Sequence, residues 1–202
     1  MTRSLADLVA RAAARESRTG RQILGITGPP GAGKSTLAAR LVGELDRAVL
    51  IGMDGFHIGD AELRRVGLRD RKGAPETFDR AGYRSLLRRL RTEADTVYAP
   101  VFDRSIEDSI AAALAVPPET RLIITEGNYL LHWPELRPLL DEVWYLDPPR
   151  DDRVSALVQR HIDFGKSPAT AAEWVAGSDE RNAELIAAGR ELADLVLGWG
   201  DW

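Results

Sequence analysis

The stretch "QILGITGPPGAGKSTLAARLVGEL", residues 22–45, decides the fold of this chain. Its first part, "QILGIT" (22–27), is a short apolar run typical of a buried strand. The next part, "GPPGAGKST" (28–36), matches the pattern G-x-x-x-x-G-K-[ST] in full. The remainder, "KSTLAARLVGEL" (34–45), has the periodicity of a helix. A strand, this glycine-rich segment and a helix, in that order, predict a phosphate-binding loop.

The residue types of this loop suit a nucleoside triphosphate that carries Mg²⁺. Glycines let backbone N–H groups turn towards phosphate oxygens, and the helix N-terminus adds the positive end of its dipole. Lys34 reaches the β- and γ-phosphates, and Ser35 offers a hydroxyl to Mg²⁺. The alternative is a glycine-rich turn without a ligand. We expect the phosphates to contact Gly28, Gly31, Ala32, Gly33, Lys34, Ser35 and Thr36.

The rest of the chain predicts an α/β protein. Strands that are apolar throughout and alternate with helices indicate a parallel sheet covered on both faces. We predict a P-loop NTPase fold with a mostly parallel sheet of about five strands. The four further strands are predicted at 48–53, 121–125, 142–147 and 193–197. The further helices are predicted at 79–94, 150–164 and 168–189.

Two long segments and the N-terminus complete this organisation. Residues 55–78 and 98–118 are rich in Gly, Pro and Asp, so we expect long loops there, and such loops are often functional. The spacing of the apolar residues in 1–20 predicts a short amphipathic helix. We find no repeat and no linker that would divide the chain. We therefore expect a single domain over residues 1–202.

Composition limits the possible partners. The chain has 202 residues, a net charge of -4 and an isoelectric point near 5.5, which argues against non-specific binding of nucleic acid. No apolar segment in the N-terminal region is long enough for a signal peptide or a membrane span. Cysteine is absent, which excludes disulfides and thiolate metal sites and fits a reducing compartment. We expect a cytoplasmic monomer or homodimer that binds neither membrane nor nucleic acid.

The motifs distinguish between classes of nucleotide-binding protein. A GTPase switch would carry an N-K-x-D base-reading motif, but Asn128 and Asn182 are the only asparagines and neither precedes lysine. Small P-loop proteins of this size are commonly kinases of small metabolites. We therefore expect transfer of the γ-phosphoryl group of ATP to a hydroxyl. The alternative is a regulatory nucleotide-binding protein without transfer activity.

Two acidic residues follow predicted strands. Asp54, in "IGMDGFHIGD" (51–60), comes at the carboxyl end of the second strand, the edge at which ligands bind in a doubly wound sheet. There it can orient an acceptor hydroxyl and take its proton, or else cap a turn. Glu126, in "LIITEGNY" (122–129), follows another strand. It can hold Mg²⁺ directly or through water, or else lie solvated in a loop.

Taken together, these motifs resemble a known group of kinases. "GPPGAGKST", "MDGFH", "RKGAPETFD", "YAPVFDR" and "ITEGNYLL" occur in the order and at the spacing found in the uridine kinase, phosphoribulokinase and bacterial pantothenate kinase group. The chain is most similar to nucleoside/nucleotide kinase-like proteins that are often labelled fructose-transport-system kinases. The resemblance extends from about residue 20 to the end of the chain.

The resemblance implies roles for particular residues. Asp54 matches the proposed catalytic base, and Glu126 matches the strand-end acid near magnesium. Arg71 and Lys72 match a basic pair in a loop that closes over the acceptor.

It also implies a helical lid at about residues 160–170. In that lid Arg160 matches an arginine near the transferred phosphate, and Arg153 matches one at the start of the same helix, near the adenine. The chain departs from uridine kinases at His161, where they carry aspartate. It departs from pantothenate kinases in "VFDRSIED" (101–108), where they have a histidine. Both departures concern acceptor or lid chemistry.

Five further residues are candidates for acceptor binding. His57 either bonds the acceptor or orders its own loop. Asp103 and Arg104 either bind acceptor hydroxyls or pair with each other. Asn128 and Tyr129, beside the strand-end glutamate, are expected to line the same site. The three histidines of the chain have no metal-ligand spacing, so we do not expect zinc.

Overall fold

The computed structural model describes residues 3–202. Its strands are β1 (Gln22–Thr27), β2 (Ala48–Gly52), β3 (Val97–Asp103), β4 (Asp108–Val116), β5 (Leu122–Glu126), β6 (Glu142–Leu146) and β7 (Leu195–Leu197). Its α-helices are α1 (Leu5–Glu16), α2 (Lys34–Gly43), α3 (Asp60–Arg65), α4 (Arg80–Thr92), α5 (Arg150–Asp163), α6 (Pro168–Trp174) and α7 (Glu180–Ala187).

Five strands form the predicted parallel sheet, in the order β2-β5-β1-β6-β7. This confirms the α/β prediction, and every predicted strand and helix is present with small changes at its ends. The helix predicted at 168–189 is α6 and α7, joined by one π-helical segment at Val175–Asp179. Such segments are frequent at functional sites in helices.

The strands are apolar throughout because both faces of the sheet are covered. Ile23 of β1 packs on one face with α4, while its neighbour Leu24 packs on the other face with α1 and α2. Ile123 and Ile124 of β5 divide between the two cores in the same way. Successive side chains of a strand point to opposite faces, so a doubly covered strand needs an uninterrupted apolar run.

The prediction of a long loop at 98–118 is wrong. β3 and β4 form an antiparallel hairpin, with an irregularity in register between Ala99 and Val101. Val97 and Ala99 are buried whereas Tyr98 is exposed, as expected for strands with one face on the core. Proline in the first strand and an acidic turn masked this alternation. Residues 55–78 likewise contain helix α3 and several 3₁₀ turns besides loop.

The predicted N-terminal helix is present as α1, with residues 1 and 2 outside the described part. Ser4 and Asp7 form a capping box at its start. Arg11 and Arg15 of this helix bind the buried carboxylate of Glu142 at the start of β6. These contacts fix α1 at the sheet edge opposite the phosphate-binding loop. Within residues 3–202, no helix is both long and apolar enough to span a membrane.

Candidate active site

Strand pairing brings the two predicted carboxylates to the phosphate-binding loop. Glu126 at the end of β5 pairs in register with Ile26 of β1 on one side and with Gly52 of β2 on the other. The loop follows β1, and the 3₁₀ turn that carries Asp54 follows β2. Because all three strands are parallel, their carboxyl ends meet at one edge. Glu126 therefore stands between the loop and Asp54.

The conformation of the loop requires its glycines. Gly28, Gly31 and Gly33 have φ angles of 147°, 79° and 85°, which residues with a Cβ rarely adopt. A Cβ at Gly28 would lie 2.5 Å from the carbonyl oxygen of Leu146, and one at Gly31 would lie 2.5 Å from Cγ of Leu157. The loop is thus held between β6 and α5.

The remaining loop residues divide between ligand-facing and internal positions. Ser35 and Thr36 are exposed in the first turn of α2, where backbone N–H groups have no partner within the helix. Ala32 is fully buried, and its N–H donates to the carbonyl of Pro29 at 3.1 Å. The prediction that Ala32 contacts phosphate is therefore not supported by its geometry, since its amide is used within the loop.

Lys34 folds back over the loop. Its ammonium donates to the carbonyl oxygens of Gly28 and Pro29, both at 2.9 Å. Burial lowers the pKa of Lys34 to about 8, against the opposing effect of the negative charges of Glu126 and Asp54. A bound polyphosphate would supply the negative charge that the buried ammonium lacks.

Ser35 and Glu126 form the candidate magnesium site. The hydroxyl of Ser35 donates to Oε1 of Glu126 at 3.0 Å. Burial, followed by the negative charge of Asp54, raises the pKa of Glu126 above its ordinary value. Residues 3–202 contain no cluster of three or more metal-binding side chains. Two oxygen donors beside a phosphate-binding loop fit Mg²⁺, which takes its other ligands from phosphates and water.

Asp54 lies at the same edge of the sheet, separated from the phosphate-binding loop by Glu126. Its carboxylate is 3.5 Å from a guanidinium nitrogen of Arg104, which lies in the turn between β3 and β4. Close backbone approaches fix the position of the turn. A Cβ at Gly55 would lie 2.5 Å from the carbonyl oxygen of Pro100, and one at Gly127 would lie 2.5 Å from Cβ of Met53. Glycine in "MDG" and "TEG" is therefore required by packing.

A cavity of about 270 Å³ opens between these carboxylates and the hairpin. Asp54, Glu126 and Arg104 supply its charged groups. The rest of its wall is apolar side chain and glycine, with Phe102 and Leu114 contributed by the hairpin. The cavity lies beside the candidate γ-phosphate position, so it is the candidate acceptor site.

His57 orders its own loop. Its Nδ1 lies 2.8 Å from the carbonyl oxygen of Asp54, so Nδ1 carries the proton and donates. The ring packs between Phe78 and Phe102, with centroid distances of 4.0 and 4.8 Å. Burial lowers the pKa of His57, which keeps the ring neutral at pH 7. Of the two predicted roles, the structure favours loop ordering.

Arg71 and Lys72, the predicted basic pair, bind different carboxylates. Arg71 is exposed and pairs with Glu76 at 2.6 Å. Lys72 is only 9% exposed; its ammonium binds Asp60 at 2.5 Å and also the carbonyl oxygen of Glu107 at the hairpin tip. Lys72 therefore ties the 60–72 segment to the hairpin, and neither residue lines the cavity.

Arg160 lies in the last turn of α5 and faces the site. Desolvation, followed by repulsion from Arg104, lowers its pKa, while Asp179, Asp54 and Glu126 act in the opposite direction. No carboxylate among residues 3–202 forms an ion pair with Arg160. Its charge can thus serve a phosphate.

The segment predicted as a lid, 160–170, contains the end of α5, a turn and the start of α6. Ser167 caps α6 by accepting from the N–H of Thr170 at 3.2 Å. Lys166 places its ammonium 5.1 Å from the centroid of the Trp174 ring, which is a cation–π contact. In this conformation Lys166 is held by Trp174 of α6.

The structure corrects the role expected for Arg153. Its guanidinium is buried, donates to the carbonyl of Pro30 at 3.3 Å and pairs with Glu180 at 2.5 Å. It therefore braces the phosphate-binding loop against α7, and its donors are directed at protein groups, away from an adenine.

Three other candidates are also placed outside the cavity. Tyr129 is fully buried in the core and donates its hydroxyl to the carbonyl of Gly73 at 2.6 Å. Asn128 lies in the turn two residues after β5 and does not line the cavity. Asp103 accepts from the backbone and hydroxyl of Ser105, and Arg104 pairs with Asp54, so the alternative in which Asp103 and Arg104 pair with each other is not observed.

Sequence reasoning missed two features. The apolar wall from Phe102 and Leu114 was missed because the hairpin was read as a loop, although the alternation in "VYAPVFD" could have shown it. The contact between Trp202 and the loop was also missed, since "LGWGDW" (197–202) gives no signal for it. A Cβ at Gly33 would lie 2.6 Å from the Trp202 ring. Within the described chain, the buried Nε1 of Trp202 lacks a hydrogen-bond partner.

Three known proteins similar to this chain align with it over most of their own length. An "ATP-dependent kinase-like protein" of Aspergillus versicolor is 36% identical over 72% of this chain and 94% of its own. A "Putative uridine kinase" of Schizosaccharomyces pombe is 33% identical over 88% and 83%. The crystal structure of a "putative fructose transport system kinase" from Silicibacter superposes with a TM-score of 0.86 at 40% identity, covering 96% and 98%. No protein-family model matches the chain.

The fold, the phosphate-binding loop and these relatives all indicate the same family. The chain belongs to the P-loop kinases that include uridine kinase-like proteins; it is also 32% identical to a pantothenate kinase over 48% of that protein, and it shares the fold of phosphoribulokinase. This confirms the resemblance drawn from "MDGFH" and the accompanying motifs, and it makes the chain a member of a phosphotransferase family.

Proposed function

We propose that this protein transfers the γ-phosphoryl group of ATP to a hydroxyl of a small metabolite. The sugar, nucleoside and pantothenate-like acceptors expected from the sequence are the candidate classes. The observation that carries the proposal is the meeting of Lys34, Glu126 and Asp54 at one sheet edge, beside a cavity that is partly open to solvent. The proposal treats the described chain as one kinase domain with a lid at 160–170.

The two cationic side chains serve the phosphates. Lys34 exchanges its loop carbonyls for β- and γ-phosphate oxygens, and Arg160 approaches from α5 as the lid closes. Both then stabilise charge on the transferred group, which is the main source of catalysis in phosphoryl transfer. Ser35 and Glu126 would hold Mg²⁺, which supplies further neutralisation of phosphate charge when it is bound.

Asp54 serves the acceptor. Its carboxylate accepts the hydrogen bond of the acceptor hydroxyl, aligns the oxygen with the γ-phosphorus and takes the proton as the new bond forms. Its partner in the structure, Arg104, is half exposed and 3.5 Å away, so this ion pair is easily exchanged.

The substitution Asp54→Asn tests this role. We expect a rate loss of about 10²–10⁴-fold at nearly constant ATP affinity, because the base is lost while the nucleotide contacts remain. The measurements are ADP release with a metabolite panel, product mass and a Mg·ATP titration. Asp46→Asn, in an exposed carboxylate between α2 and β2, is the matched control.

The outcomes separate the possible roles of Asp54. Joint loss of rate and Mg·ATP affinity would make it a metal ligand, and loss of neither would make it a turn cap. Tight ATP binding with no acceptor consumed by the wild-type protein would contradict transfer and favour the regulatory alternative.

A further inference from the structure

The volume and the lining of the cavity beside Asp54 limit which acceptors can bind there. Its volume of about 270 Å³ lies below the range of roughly 300–1,000 Å³ found for drug-sized ligands. An acceptor held wholly within it must therefore be small.

The polar groups of the cavity are unusually few. Its side-chain polar groups are two carboxylates, Asp54 and Glu126, and one guanidinium, Arg104. The other lining residues are glycines and the apolar Leu50, Pro100, Val101, Phe102 and Leu114. Among residues 3–202, no serine, threonine, asparagine, glutamine or tyrosine side chain lines the cavity. A sugar with several hydroxyls would leave most of them without a side-chain partner, which is unfavourable for those that face the apolar wall.

Arg104 is the one lining group without a role in the transfer step. Both carboxylates are assigned, Asp54 to the acceptor hydroxyl and Glu126 to the metal. Arg104 comes from the hairpin, on the wall formed with Phe102, and its side chain is 50% exposed. A guanidinium presents a planar set of donors that matches a carboxylate with two parallel hydrogen bonds.

We propose that the acceptor is a small hydroxy acid, bound with its hydroxyl at Asp54, its carboxylate at Arg104 and its carbon skeleton against the apolar wall. This inference rests on the proposed function. The acceptor oxygen forms a bond to the γ-phosphorus while the bond from that phosphorus to the β–γ bridging oxygen breaks. The hydroxyl proton passes to Asp54, ADP leaves, and the product is the phosphate ester of the hydroxy acid.

Matched acceptors test the proposal. The probes are 3-hydroxypropanoate, 3-hydroxybutanoate and 4-hydroxybutanoate, each compared with its own primary amide, together with glycerol as a neutral polyol. ADP release and product mass give kcat/KM for the wild-type protein, Arg104→Gln, Arg104→Lys and the control Arg65→Gln. Arg65 is an exposed arginine of α3 that pairs with Glu62.

We expect the wild-type protein and Arg65→Gln to favour at least one acid over its amide by about tenfold or more. Arg104→Gln should bring this ratio close to one. Arg104→Lys should give an intermediate ratio, because lysine keeps the charge without the paired geometry.

Three results would overturn the proposal. Equal loss on acid and amide in Arg104→Gln would assign Arg104 to the transferred phosphate. A wild-type preference for glycerol or for the amides would exclude an acidic acceptor and leave the proposed transfer activity intact. Absence of any phosphorylated product, including from sugars and nucleosides, in a protein that binds ATP would remove the proposed function as well.

Discussion

The lowered pKa of Lys34 predicts that nucleotide binding takes up a proton at alkaline pH. In the free protein burial brings this pKa from 10.5 to about 8. Phosphate oxygens beside the ammonium favour its charged form, so the pKa in the complex rises towards or above 10.5. Between these two values the free lysine is mostly neutral and the bound lysine is mostly charged.

The size of the effect follows from the two pKa values. At pH 9 about one-tenth of the free protein carries a charged Lys34, so binding takes up about 0.9 proton. At pH 7 the free lysine is already charged, and the uptake falls to about 0.1 proton. The complex holds one proton more than the free protein and ATP. By linkage, ATP affinity therefore falls as pH rises above 8, by up to about tenfold per pH unit.

Isothermal titration calorimetry in buffers of different ionisation enthalpy measures this uptake. Lys34→Arg is the matched control, because arginine keeps a charge that does not titrate in this range and should therefore show no pH 9 uptake. A proton uptake near zero at pH 9 in the wild-type protein would refute the lowered pKa of Lys34. The same uptake in both proteins would assign the proton to another group.

Two further predictions concern the loop and the lid. Gly33→Ala should lower the free energy of unfolding by about 1–3 kcal/mol from its φ of 85° alone, and by more because its Cβ would meet the Trp202 ring. Chemical denaturation measures this loss against Gly20→Ala, which has a similar φ and open space, and equal losses in the two variants would contradict the Trp202 contact. Hydrogen exchange in residues 160–170 should slow on addition of an ATP analogue with magnesium, because we propose that this segment closes over the phosphates. Unchanged exchange would identify this segment as a fixed surface loop.

The sequence predicted those features that are determined locally. The strand at 22–27, the loop and the helix were visible as continuous patterns, and so were the carboxylates at strand ends. The hairpin at 97–116 was not recognised, because proline and a short acidic turn interrupt its alternation. The positions of Tyr129 and Arg153 also could not be read from the sequence. Whether a polar group bonds a protein carbonyl or a ligand depends on residues far away in the chain, here Gly73 and Glu180. The cytoplasmic location and the monomer or homodimer stay predictions.

Three of the proposed ligand-binding side chains, Lys34, Ser35 and Asp54, each contact a substitute group from the protein itself. Lys34 binds two loop carbonyls, Ser35 binds Glu126, and Asp54 faces Arg104. A buried charge or hydroxyl without a partner would be costly, so these internal contacts stabilise the fold around the site. Each of these internal contacts is weaker than the ligand contact proposed to replace it. Lys34 would exchange neutral carbonyls for phosphate, and Glu126 would exchange the Ser35 hydroxyl for a metal ion. The half-exposed pair of Asp54 and Arg104 would be replaced by an acceptor that binds both residues. The same side chains can therefore stabilise the free protein and still be released to the substrates.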